Sequence, residues 1–190
     1  MKKQLDPSPT IFPMPAVLIG SYGEDGTPNA MTAAWASACC QTPPCLGVAI
    51  RSSRLTLANI EVRGAFTVNV PSTALAAKVD SLGIVSGRRI PDKLARLGVV
   101  TERATEVDAP LLSDCPVNVE CRLTTSVELG THVWVVGEVA QVHADGAVLG
   151  SDGKIDVEAL DPLAYFPSAR EYRAVGRAVG AAFEMGKGLL

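Results

Sequence analysis

Histidine is scarce in this chain, and the motifs that depend on it are missing. Only His132 and His143 occur, neither stands at metal-ligand spacing from a second ligand, and neither has the context of a triad base. There is no G-x-S-x-G elbow and no G-x-G-x-x-G dinucleotide fingerprint. The five cysteines, Cys39, Cys40, Cys45, Cys115 and Cys121, form no C-x-x-C, so each reads as a small buried apolar residue. Gly180 and Gly186-Lys187-Gly188 imitate a P-loop, but a glycine stands where Ser or Thr must hold magnesium. No close pair of carboxylates suggests a shared proton. A chain this poor in hydrolytic groups that is nevertheless an enzyme relies on a bound cofactor for its chemistry.

A charge excess is missing too. Seventeen Lys+Arg against twenty Asp+Glu leave a net −3, which excludes a general nucleic-acid binder working by phosphate neutralisation. No apolar run approaches the roughly 20 residues of a spanning helix. Lys2 and Lys3 are followed by Asp6, Pro7 and Pro9 rather than a signal-peptide core. With an odd cysteine count, this leads to the expectation of a soluble cytoplasmic protein with reduced thiols.

What is present is a core. Hydrophobic residues make up 47% of 190, enough for one domain over 14–176, with a proline-rich arm at 1–13 and a tail at 177–190. Ala16–Tyr22 and Asn29–Ser37 are β-compatible runs flanking the turn Gly23-Glu24-Asp25-Gly26. Cys45–Ile50 and Ala65–Val70 read as strands. Between them Ser52-Ser53 opens a helix with a hydroxyl N-cap, stopped by Gly64. Pro71-Ser72 opens a second helix to about Ser81, Gly83–Pro91 is a loop, and Asp92–Leu97 forms one or two helical turns. Val117, Val119, Cys121 and Leu123 alternate with Asn118, Glu120, Arg122 and Thr124, the period of a half-buried strand. Thr131–Ala144 is a further long strand. Strands in hairpins with few short helices predict a mainly β fold, an antiparallel closed or nearly closed barrel.

Two segments carry chemistry. Arg51-Ser52-Ser53-Arg54-Leu55-Thr56 stands between a strand and a helix, where unpaired amides and the positive dipole end suit a phosphate; the plain alternative is a capping sequence with solvated arginines. Asn29-Ala30-Met31-Thr32-Ala33-Ala34-Trp35 places small residues along a strand, which lets a flat ligand approach the backbone; the plain alternative is a packed core strand. Lys93 is a further candidate positive contact.

These segments resemble the flavin reductase-like, FMN-binding split-barrel family, in particular its flavoredoxin-type members. The likeness runs from about Pro13 to Gly176, through Gly26-Thr27-Pro28-Asn29, Val48-Ala49-Ile50-Arg51, Phe66-Thr67-Val68-Asn69-Val70-Pro71, Ser86-Gly87-Arg88, Asp108-Ala109-Pro110 and Leu160-Asp161-Pro162. It implies a six-stranded antiparallel Greek-key split barrel that forms a homodimer with one FMN per subunit. It further implies Asn29, Met31 and Trp35 beside the flavin, with Thr32 and Ala33 contributing backbone contacts. Arg51, Ser52, Ser53, Arg54 and Thr56 stand at the phosphate, and Lys93, His132 and Tyr165 near the cofactor, with Phe166 as the alternative aromatic. The implied activity is electron transfer between NAD(P)H or a protein donor and a flavin or other acceptor. An electron-transfer flavoprotein without its own substrate is the alternative.

Overall fold

The computed structural model describes residues 1–189. In chain order it contains β1 (Met14–Pro15), β2 (Val17–Tyr22), β3 (Pro28–Ala33), β4 (Ala36–Gln41), β5 (Pro44–Arg51), α1 (Leu55–Arg63), β6 (Ala65–Val70), α2 (Ala76–Ile84) and α3 (Lys93–Arg96). There follow β7 (Thr101–Arg103), β8 (Pro110–Leu112), β9 (Val117–Glu128), β10 (His132–Ala144), α4 (Val157–Leu160), β11 (Leu163–Phe166) and β12 (Glu171–Ala174). Residues 1–12 form neither helix nor strand.

The main sheet is antiparallel, in the order β3-β2-β6-β9-β10-β5-β4. It has seven strands where six were expected, and it is open between β3 and β4. The reason lies in the single run read as Asn29–Ser37. The chain bends at Ala34-Trp35, so this run becomes β3 and β4, which occupy opposite edges of the same sheet. The Trp35 carbonyl accepts from the Ala49 amide at 2.8 Å, fastening the bend to β5. The β2–β3 hairpin forms at Gly23–Gly26 as its sequence predicts, with Asp25 accepting from the Thr27 amide at 2.9 Å.

Around β2, β3 and β6 both faces of the sheet are buried. Ile19, Met31, Ile50, Phe66, Val68 and Val135 fill the concave side with Leu57 and Ile60 of α1. Leu18, Ala30 and Leu112 pack on the other side with Val79 and Leu82 of α2 and Leu94 of α3. Adjacent residues of β2 thus enter different cores, and the strand reads as a continuous apolar run because both its faces are covered. Gly20 sits in this strand because a Cβ there would stand 2.4 Å from both the Pro110 carbonyl oxygen and Thr67 Oγ1.

Two expectations about the helices are corrected. The helix after β5 has Arg54, not a serine, at its N-cap, with no side-chain cap, while Gly64 closes it in the left-handed region at φ 63°. The helix expected from Pro71-Ser72 to Ser81 starts as a 3₁₀ turn at Thr73–Leu75 and becomes α-helical only over Ala76–Ile84. The first turn is tied elsewhere, since the Thr73 amide donates to the Asp161 carbonyl at 2.9 Å and its hydroxyl bonds the Asp161 carboxylate.

The polar face of β9 is not solvated throughout: Asn118 and Glu120 are buried. The 101–112 segment covers them. Asn118 donates to Asn69 Oδ1 at 2.7 Å, and Glu120 accepts from the amides of Thr105, Glu106 and Val107 at 2.9, 2.6 and 3.1 Å. His143 Nε2 lies 2.6 Å from Glu120 Oε1. Burial alone would push this carboxyl up, but the bonds from Thr105, His143 and Glu106 outweigh it and hold it below the usual carboxylate range. The cysteines divide as well: Cys45, Cys115 and Cys121 are buried, whereas Cys39 and Cys40 are exposed on β4.

Candidate functional site

A cavity of about 420 Å³ opens where the two sheet edges separate, a size that suits a small-molecule cleft. Its floor is the end of β3 and the bend, Met31 to Trp35, with Ala49 of β5. Within it Thr32, Ala33, Ala34 and Ala49 have short side chains, which brings the open space close to the backbone. Thr32 turns its hydroxyl to the Val79 carbonyl of α2. Trp35 forms a wall with His132, their ring centroids 4.7 Å apart. His132 Nδ1 is 2.9 Å from Thr131 Oγ1. Burial and the Arg51 guanidinium lower the imidazole's pKa below its ordinary value, which favours a neutral ring at neutral pH.

The opposite wall comes from the β11–β12 hairpin, with Tyr165, Tyr172 and Arg170. The two tyrosine rings pack against each other tilted by 45°, with centroids 5.3 Å apart. Burial, helped by Asp80, pushes the Tyr172 phenol up to about 12, so it remains a neutral donor. Pairing of β11 with β1 carries this hairpin to the site.

The charged end is the β5–α1 corner. Its turn is closed by the Arg54 amide donating to the Arg51 carbonyl at 2.9 Å. Since α1 has neither a side-chain cap nor an acidic residue in its first turn, its leading amides present their partial positive charge without competition. Arg54 donates to the Gly83 carbonyl at the end of α2, while the Arg51 guanidinium has no side-chain bond or ion pair among the described residues. The cavity therefore holds Arg51, Arg54 and Arg170 against Asp80, a local positive excess in a chain of net −3. An anionic tail fits this corner, and a flat ring fits the floor between the aromatic walls.

Of the residues expected from sequence, Met31, Thr32, Ala33, Trp35, Arg51, Arg54, His132 and Tyr165 line this cavity together. Ser52 and Ser53 lie exposed on the corner turn. Asn29 and Thr56 sit behind it, bonded to each other at 2.9 Å, and Asn29 borders a separate cleft with Gly87 and Arg88. Lys93 is buried rather than a surface lysine; its Nζ donates to the Val85 carbonyl at 3.0 Å. Burial and nearby Arg54 pull its pKa down to about 8. Phe166 packs on Phe12, with centroids 6.2 Å apart, and does not line the cavity. Asp80, Arg170 and Tyr172 were not anticipated. No local motif marks them, because only the β1–β11 pairing and the packing of α2 on β3 bring them to the corner.

Among the described residues, no helix is long and apolar enough to cross a membrane. Two solved structures are close in shape over their whole length. Flavoredoxin of Desulfovibrio vulgaris (Miyazaki F) is 39% identical, with a TM-score of 0.93 covering 98% of this chain and 100% of that one. Flavoredoxin from Methanosarcina acetivorans is 30% identical, with a TM-score of 0.90 and full coverage of both chains. A protein of Archaeoglobus fulgidus is 36% identical over 148 residues, 77% of this chain and 80% of its own. The model of the flavin reductase like domain matches residues 10–176. With a split antiparallel sheet and a ring-sized cleft ending in a cationic corner, the chain belongs to the flavin reductase-like family.

Proposed function

We propose that this chain binds FMN and is an oxidoreductase that passes electrons from NAD(P)H or a protein donor to a flavin or other acceptor. The observation that carries the reading is the joining, in one cavity, of a small-residue floor, the Trp35–His132 wall and the Arg51–Arg54 corner at an uncapped helix start. A bound flavin supplies reversible acceptance of two electrons, and the protein's task is then orientation and electrostatics. Arg51 and Arg54 would hold the phosphate at the corner by charge-assisted bonds, assisted by the amides of α1. Ser52 and Ser53 offer hydroxyls at the same turn. The backbone of Thr32 and Ala33, with the Trp35 and Tyr165 walls, would hold the ring. Asn29, Thr56 and Lys93 support the corner from behind.

The chain is further proposed to act as a homodimer, since Ile11, Phe12, Val127 and Leu129 are left exposed; sedimentation as a single-chain species at micromolar concentration would contradict that. The decisive experiment is a visible spectrum of protein reconstituted with FMN and dialysed, followed by NADH and NADPH in separate additions. Retained flavin that bleaches with either nucleotide supports the reductase. Retained flavin that bleaches only with a reduced electron-transfer protein identifies the carrier instead, and a colourless dialysed protein refutes both.

A further inference from the structure

We propose that Cys40 and Cys45 are a redox-active cross-strand thiol pair, a modification site that takes low-molecular-weight disulfides and closes the β4–β5 hairpin. The two residues are register partners across antiparallel strands. Directly opposed residues in such a ladder have Cα atoms about 4.5–5.5 Å apart, inside the roughly 4.4–6.8 Å window a disulfide requires. Their side chains also share one face of the sheet.

The hairpin gathers a third thiol. The register shifts between Ala38 and Cys40, which makes Cys39 the extra residue of a bulge, and bulges re-aim side chains. Cys39 Sγ points at the Cys45 carbonyl at 3.6 Å, Cys40 Sγ at the Thr42 carbonyl at 3.4 Å, and Cys45 Sγ at the Pro43 carbonyl at 3.4 Å. All three thiols thus lie at the turn end of the β4–β5 hairpin. Burial, then the neighbouring Cys40 and Cys39, push the Cys45 thiol up. β4 is a sheet edge and Cys40 is exposed while Cys45 is buried, so an external disulfide reaches Cys40 before Cys45.

The exchange balances in two steps. The Cys40 thiolate, its proton released to solvent, attacks an external disulfide RSSR; a Cys40–SR bond forms and RS⁻ leaves. Cys45 then gives its proton to solvent or to a leaving thiolate, and its sulfur attacks the Cys40 sulfur, expelling the second RS⁻. The protein loses two protons and two electrons while one RSSR becomes two RSH. Cys39 remains a thiol. Cys115 and Cys121 stay out, since burial pushes both up to about 12 and leaves them inert.

The test equilibrates the full chain with glutathione disulfide in excess over glutathione, then combines thiol titration with intact and fragment mass spectrometry. Free thiols should fall from the five of the reduced chain by two, with loss of two hydrogens and no retained glutathione. Cys39→Ser should still lose two thiols. Cys40→Ser, a change at an exposed site, should form no internal link, and Cys45→Ser should retain glutathione on Cys40. Stable glutathione adducts on the unmodified chain, a link between two chains, or loss of the link in Cys39→Ser would each overturn the proposal.

Discussion

Replacing Arg51 by Ala gives the sharpest test of the cationic corner. Arg51 is preferable to Arg54 because the Arg54 side chain also fastens the end of α2 through Gly83, so its removal mixes binding with stability. A hydrogen bond to a charged group contributes about 1.5–3 kcal/mol. Arg51 is exposed at the rim, where solvent screens charge, so the expected loss is about 1–2 kcal/mol, a factor of roughly 5–30 in Kd. The assay is a flavin fluorescence titration with FMN and, in parallel, with riboflavin, which has the same ring and no phosphate. Arg51→Ala should weaken FMN binding by that factor and leave riboflavin almost unchanged, and raising the salt should shrink the difference. Equal losses for both ligands would refute the phosphate assignment, because the arginine would then act on the ring or on the fold.

Other perturbations probe what surrounds the site. Glu120→Gln should destabilise the protein by about 2–4 kcal/mol in chemical denaturation, since an amide cannot accept from every donor facing Glu120 and places N–H against N–H. Because the Glu120 carboxyl is held low in the folded chain, the stability it contributes is present above the ordinary carboxylate pKa and lost as pH falls through the lower folded value. That acid-limb loss should be smaller in the variant. Lys93 works in the opposite range: with a folded pKa of about 8 against an ordinary 10.5, the unfolded chain binds more protons in that window, so stability rises with pH there. Denaturation midpoints of Lys93→Met across the window should follow a flatter profile. Gly20→Ala should cost about 1–3 kcal/mol by overpacking, since the new Cβ would meet the Pro110 oxygen and Thr67 Oγ1 at 2.4 Å; an unchanged melting temperature would contradict this.

Taken alone, the sequence determined the β-rich class, the first hairpin and the glycine stop of α1, and together with the family resemblance it pointed to half of the cavity's residues. The first three are local facts: turn glycines and apolar periods act over a few positions. Tertiary structure alone decided the rest. The run from Asn29 to Ser37 carries nothing that says its halves join opposite edges of a sheet, because the bend at Ala34-Trp35 is held by β5, far along the chain. Alternation along β9 put Glu120 on the face opposite the apolar residues, yet the 101–112 segment covers it and supplies its donors. Arg170 and Tyr172 reach the cleft only because β11 pairs with β1. Periodicity records which side of a strand a residue takes; what lies against that side is set by chain segments distant in sequence.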